Sequence, residues 1–222
     1  MCSFVGTNKK ISNLDEVNRF TKNRGPDGTS VFTHEGVTLV HNLLSITGEL
    51  RTQPLKSEDG SILCVFNGEI YNYKSFGDYD TDGDCIIPLY ESMNEDFASQ
   101  LDGEFAIVII DFLKDKIVFV TDAFATKPLW CANNETEFAF ATYESAIKSL
   151  GFERPVKVPA NTVFSYTLSG LKKIKKQNVF DFDIKQHKNH YEDWCNAFID
   201  SLDKRASNSR EKVFIGLSGG YD

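Results

Sequence analysis

An α+β fold, two stacked β-sheets with helices on the outside, is what this sequence predicts. Three observations carry the prediction. Strand-like runs of five to eight residues recur as far as about residue 176, broken by turn-forming Gly, Asn, Asp and Pro. Helical periodicity appears only at intervals between those runs. The 222 residues are 41% hydrophobic and 13% aromatic, which supplies a full core and excludes a disordered chain.

Taken in order, residues 2–6 read as a short strand. Asn13 followed by Glu16 is a capping-box-like start for a helix over about 13–22, with Leu14, Val17 and Phe20 as its apolar stripe. The cluster Arg24-Gly25-Pro26-Asp27-Gly28 stops it. Strands near 29–34 and 37–45 are joined at Glu35-Gly36 as a hairpin. After a loop ending in Gln53-Pro54-Leu55 and a turn at Asp59-Gly60, the apolar run Ile62 to Phe66 reads as a strand buried on both faces. It continues into Asn67-Gly68-Glu69-Ile70-Tyr71-Asn72, so a polar site is expected at its end. Thr81-Asp82-Gly83-Asp84 opens a helix over about 84–93. Phe105–Phe112 and Lys116–Thr121 form a hairpin turning at Lys114-Asp115, and short strands follow to about 141. A helix near 143–150 and strands near 155–158, 162–167 and 171–175 complete a first domain, residues 2–176. Residues 177–190 read as a polar linker. A helix over about 188–205 presents Tyr191, Trp194, Phe198 and Leu202 on one face. Val213 to Leu217 is a buried-type parallel strand ending in Ser218-Gly219-Gly220-Tyr221-Asp222. Strand, glycine-rich turn and helix form a phosphate cradle; the helix is missing here, which suggests that residues 191–222 begin a second domain.

Several function classes are excluded. A net charge of −8 does not suit nucleic-acid binding, and the basic run Leu171 to Lys176 reads as a solvated hairpin face. No apolar stretch approaches the ~20 residues needed to cross a bilayer, and the N-terminus has no signal-peptide core. Five scattered cysteines without a Cys-x-x-Cys pair suit a reducing cytoplasm and exclude an obvious zinc or redox motif. The four histidines make no metal site with acids at ligand spacing.

Chemistry starts at Met1-Cys2. Removal of Met1 leaves Cys2 with a thiol and a free α-amine on one carbon, a nucleophile with its own base. The ordinary amine pKa, roughly 7.7–8.0, is close to working pH. Taken alone, Cys2 reads as an early buried strand residue, Asn67-Gly68 as a type I′ turn, and Asp84 as a helix N-cap.

Together, however, Met1-Cys2, Arg24 to Gly28, His41 to Ile46, Gln53-Pro54, Asn67 to Asn72, Gly83-Asp84-Cys85, Leu101 to Ala106, Asp122 to Pro128 and Ser218 to Asp222 resemble the class II glutamine amidotransferases. These are N-terminal-nucleophile hydrolases, and the match within them is to glutamine-dependent asparagine synthetases. The resemblance implies a four-layer αββα sandwich, then a linker, a helix and the first strand of an α/β ATP-pyrophosphatase domain. It implies Cys2 as nucleophile, and Asn67 (side-chain amide) and Gly68 (backbone N–H) as the oxyanion pair. Glu69, Asp84, Ile46 and Arg51 are implied to bind glutamine, Asp84 through the α-ammonium. Arg24 and Asp27 hold the loop beside Cys2. Ser218, Gly219, Gly220 and Asp222 match the ATP-binding loop. ATP and Mg²⁺ then serve the full-length synthetase and the glutaminase domain needs no cofactor. Glutamine, with aspartate and ATP in the full protein, are the implied partners, together with a second copy in a homodimer; neither nucleic acid nor membrane is.

One position departs from that pattern. The family has an arginine two places after the histidine matching His41, clamping the α-carboxylate; Leu43 stands there. A charged hydrogen bond contributes about 1.5–3 kcal/mol, so glutamine binding weakens by roughly one to two powers of ten unless Arg51 reaches in from the following loop. Two alternatives follow: a weak or non-catalytic scaffold for an ammonia-dependent synthetase, and an amidotransferase for a different carboxylate acceptor.

Overall fold

A computed structural model describes residues 1–46, 50–207 and 216. Its twelve described strands form two six-stranded sheets, antiparallel throughout. The first contains β1 (Ser3–Thr7), β2 (Gly28–His34), β3 (Val37–Leu43), β8 (Trp130–Asn133), β9 (Phe138–Ala141) and β10 (Val156–Lys157), in the order β10-β8-β9-β1-β3-β2. The second contains β4 (Leu55–Lys56), β5 (Ile62–Ile70), β6 (Gly103–Asp111), β7 (Lys116–Thr121), β11 (Thr162–Thr167) and β12 (Lys173–Asn178), in the order β12-β11-β7-β6-β5-β4.

Alternation along the strands divides the apolar side chains into three layers. Phe4, Leu39, Val65, Val108, Phe119 and Phe140 lie between the sheets. Val5, Val40 and Ala141 face outward from the first sheet onto α1 (Leu14–Asn18) and α3 (Glu144–Ser149), through Val17, Ala146 and Ile147. Cys64, Phe66 and Ile107 face outward from the second sheet onto α2 (Ile86–Met93), through Ile86 and Tyr90. Helix, sheet, sheet, helix is the four-layer αββα arrangement expected of the sequence, because each strand of β5 and β6 is apolar on both faces.

Local signals resolve as expected at Asn13, whose Oδ1 accepts the Glu16 N–H at 3.2 Å, and at Glu35-Gly36, both at positive φ. Helix α1 is shorter than the expected 13–22. Asn18 and Thr21 turn inward instead, Asn18 donating to Asn42 Oδ1 at 3.2 Å and Thr21 accepting from Ser3 Oγ through its carbonyl at 2.8 Å. Asn67 and Gly68, which alone suggest a hairpin turn, sit inside β5.

Strand β12 runs to Asn178, and Val179 is buried in the α2-side core, so packing continues into the stretch expected to be linker. Helix α4 (Glu192–Ser207) begins a turn later than expected and keeps Tyr191, Trp194, Phe198 and Leu202 exposed. Its ties to the body are Lys204 to Asp102 and Arg205 to Glu104. The expected strand over 213–217 and the Ser218, Gly219, Gly220 and Asp222 loop lie outside the described residues, Gly216 excepted.

Candidate active site

Cys2 immediately precedes β1, where β1 pairs with β3 from Ser3–Asn42 onward. Its Sγ accepts the Leu44 N–H at 3.3 Å and lies 3.4 Å from the Leu44 carbonyl. Burial pushes the thiol pKa up, against the Leu44 hydrogen bond, so the resting group is a thiol that needs a base. The Arg24–Asp27 loop fixes the surroundings. Arg24 Nε donates to the Cys2 carbonyl at 3.1 Å and its Nη1 to Tyr143 Oη at 2.6 Å. Asp27 donates its N–H to the Leu43 carbonyl at 3.0 Å and accepts Ser45 N–H at 2.8 Å. The end of β3, and with it Leu44, is therefore held against Cys2.

Opposite lies β5. Asn67 shares the inter-sheet face of Val65 and is fully buried, and neither amide atom has a protein partner. A buried amide without partners costs about 1–3 kcal/mol, which is recovered when a ligand supplies them. The next residue exposes its backbone. Gly68 faces Phe105 in β6, whose N–H and C=O are both engaged by Asp122, so Gly68 directs its own N–H to the opposite edge. On that edge Phe66 N–H is taken by Gln53 Oε1 at 2.7 Å and Ile70 N–H by Asp82 Oδ2 at 2.9 Å. Gly68 N–H lies between them and faces the pocket. The approach is possible because residue 68 has no side chain: a Cβ there lies 2.0 Å from the Glu104 carbonyl oxygen.

The pocket between these parts is narrow, about 50 Å³, and is lined by Met1, Cys2, Gly68, Glu69, Ile46 and Arg51 among others. Met1 occupies its wall, so losing Met1 both frees the amine and widens the cavity. Leu43 also lines it and is buried, presenting an aliphatic surface where the resemblance expects arginine. Arg51 supplies a cation instead, with Nη2 3.0 Å from Asp84 Oδ1. Asp84 Oδ2 is held by Thr81 N–H at 3.1 Å and Thr81 Oγ1 at 2.9 Å, a capping box around the turn Asp82–Cys85. Asp84 borders the adjoining groove, and Arg51 belongs to both spaces.

Cys2, Gly68, Glu69, Ile46 and Arg51 thus share one pocket, with Asn67 behind it and Asp84 beside it, joined through Arg51. Sequence reading did not single out Asp82, which lines the pocket, or Lys127, which joins it from the Asp122–Pro128 loop. Asp82 lay within a quoted motif, but its importance depends on the distant Ile70 N–H.

Burial pushes the Asp82 carboxyl up to about 7, above its ordinary 3.8. A raised carboxyl pKa means that the folded state binds the proton more tightly, so stability falls as pH rises from about 4 to about 7. Asp82→Asn, which keeps an acceptor for Ile70 N–H, is expected to stabilise the fold by about 1–3 kcal/mol at pH 8 and by little at pH 4. Thermal melts at the two pH values measure this, and equal shifts at both refute it.

With the geometry in place, comparison with known proteins is informative. The glutamine amidotransferase domain family matches residues 1–193. This chain belongs to that family. An asparagine synthetase [glutamine-hydrolyzing] 3 of Arabidopsis thaliana is 32% identical over 178 residues, covering 74% of this chain and 30% of its own length. A Methanocaldococcus jannaschii protein provisionally named asparagine synthetase [glutamine-hydrolyzing] 1 is 31% identical over 216 residues, covering 84% of this chain and 39% of its own. The amidotransferase chain therefore spans about two-fifths or less of these relatives. Among solved structures, the glutamine phosphoribosylpyrophosphate amidotransferase of B. subtilis superposes with a TM-score of 0.65 at 14% identity, covering 82% of this chain and 50% of that one. At that identity the likeness concerns the fold. Among the described residues no helix is long and apolar enough to cross a membrane.

Proposed function

We propose that this amidotransferase domain hydrolyses glutamine and, within a longer cytoplasmic protein, supplies ammonia to an asparagine synthetase. The observation that carries the reading is the convergence on Cys2 of two oxyanion donors, the partnerless Asn67 amide and the inward Gly68 N–H. With Met1 removed, the Cys2 amine takes the Sγ proton as the sulfur attacks the substrate's side-chain amide carbon. Asn67 Nδ2 and Gly68 N–H hold the oxyanion of the tetrahedral intermediate. The ammonium then returns its proton to the departing nitrogen, giving ammonia and a glutamyl thioester. Water, activated by the same amine, releases glutamate.

Arg51 and Asp84 suit the other end of the substrate. Each carries the charge opposite to one of glutamine's α-groups, so the ion pair they form in the free protein exchanges for pairs with the α-carboxylate and the α-ammonium. Arg51 takes over the part that Leu43 cannot play, which favours a working glutaminase over the scaffold reading. Arg51→Met is expected to raise KM for glutamine about 10- to 100-fold with kcat little changed, as loss of ground-state binding requires. A fall in kcat at unchanged KM contradicts this assignment. Glutamate release by the Met1-processed protein tests the function itself, and a processed, folded protein that releases none overturns it.

Aspartate as acceptor, and ATP with Mg²⁺ as activator, belong to the proposal for the whole protein. Their support is the relatives' names and the Ser218-Gly219-Gly220-Tyr221-Asp222 sequence. ATP would there activate a carboxylate for attack by ammonia, with Ser218, Gly219, Gly220 and Asp222 holding its pyrophosphate.

A further inference from the structure

Lys127 sits in the loop after β7, and its side chain is nine-tenths buried. A buried ammonium requires a partner, and Lys127 Nζ has one in Glu104 Oε2 at 3.0 Å. The same Nζ is 3.0 Å from Met1 Sδ, which places a fixed cation against the N-terminal residue. Glu104 is itself shared. Its Oε1 lies 3.4 Å from Arg205 Nη2 on α4, the Tyr71 hydroxyl hydrogen-bonds to it, and the Arg205 guanidinium lies 4.4 Å from the Tyr71 ring. An unbroken row of charges thus leads from α4 to the head of the chain.

Resting on the glutaminase reading above, we infer that Lys127 is a positioning residue: its cation, fixed by Glu104 beside the N-terminus, holds the Cys2 amine unprotonated at neutral pH, and Arg205 of α4, by sharing that carboxylate, sets how much of the charge the amine feels. The charged and titratable groups facing the N-terminus are Arg24 from the turn after α1, Lys127 from the loop after β7, Glu69 from β5 and the Cys2 thiol. Burial lowers the amine's proton affinity first; the thiol raises it, Arg24 and Lys127 lower it, and Glu69 raises it. Of the two cations, Arg24 is engaged with the Cys2 carbonyl and Tyr143, whereas Lys127 connects to α4. When Arg205 is lost, Glu104 screens Lys127 more completely and the amine gains proton affinity.

The test uses Met1-processed protein and its Lys127→Met, Lys127→Arg and Arg205→Gln variants. The amine is titrated by its rate of acetylation with acetic anhydride against pH, which needs no turnover, and the acid limb of kcat/KM for glutamine is measured in parallel. Lys127→Met is expected to move both midpoints up by about one pH unit, a tenfold loss at pH below the midpoint, with the alkaline plateau kept. Lys127→Arg restores the original profile, and Arg205→Gln moves it the same way by less. Arg205 is half exposed, so its variant reports even where Lys127→Met fails to fold. Midpoints unmoved in Lys127→Met overturn the inference, and midpoints unmoved in Arg205→Gln overturn the link to α4. Absence of glutamate release with a normal amine titration would count against the glutaminase reading alone.

Discussion

Replacing Cys2 by alanine is expected to abolish glutamate release and to leave the fold intact. In the proposed reaction Sγ is the atom that forms the acyl bond, and no other group in the pocket can take its place. Cys64 and Cys85 are buried in the α2-side core and their thiols are pushed far up by burial. The rate should fall by at least ~10⁴-fold, in the range seen when a covalent nucleophile is removed elsewhere. Stability should change by less than about 1 kcal/mol, because the half-buried sulfur makes only long contacts with the Leu44 backbone. Coupled detection of glutamate, with a thermal melt on the same sample, measures both. Release that survives in a folded Cys2→Ala protein refutes the nucleophile assignment.

Gly68→Ala is expected to damage stability and turnover together. A Cβ at this position meets the Glu104 carbonyl oxygen at 2.0 Å and Phe105 Cα at 2.7 Å, and both are backbone atoms of the paired strand β6. No rotamer relieves such a contact. Either β5 and β6 separate, or residue 68 leaves its φ of +155° and its N–H swings away from the pocket. We expect a loss of about 3–5 kcal/mol, at the large end for a single substitution, and a melting temperature lower by about 10 °C. Whatever folds should turn over at least ~100-fold more slowly, the usual effect of removing one oxyanion donor. Gly28→Ala is the control, since a Cβ there meets nothing within 4 Å. Equal melting temperatures for the two variants would contradict the steric argument.

Much of this was legible in the sequence where the signal is local. Ile62 to Phe66 announces a strand buried on both faces, Asn13 with Glu16 a helix start, and Glu35-Gly36 a tight hairpin, because each depends on neighbours a few residues apart. The αββα layering follows from the doubly apolar central strands, which need cover on both sides. Cys2, Asn67 and Gly68 were legible as a motif but not as a site, since the order of β1, β3, β5 and β6 decides where they meet. What stayed hidden are pairings between distant side chains: Asn18 and Thr21 turning onto Asn42 and Ser3, Arg51 reaching Asp84, and Lys127 reaching Glu104. Each of those residues, read alone, is an ordinary polar residue of a loop or a short helix.

Gln53 and Asp82 together have a consequence for solubility. Strand β4 covers only Cys64 and Leu63 of β5, so the rest of that margin is open to any extended chain that could add to it. The Gln53 amide accepts from Phe66 N–H and donates to the Phe66 carbonyl, imitating a peptide unit of a neighbouring strand, and Asp82 takes Ile70 N–H. Between these two plugs the opening is one residue wide. A small amide can enter it and a foreign strand cannot, so the protein keeps a bare backbone donor without offering a template for aggregation.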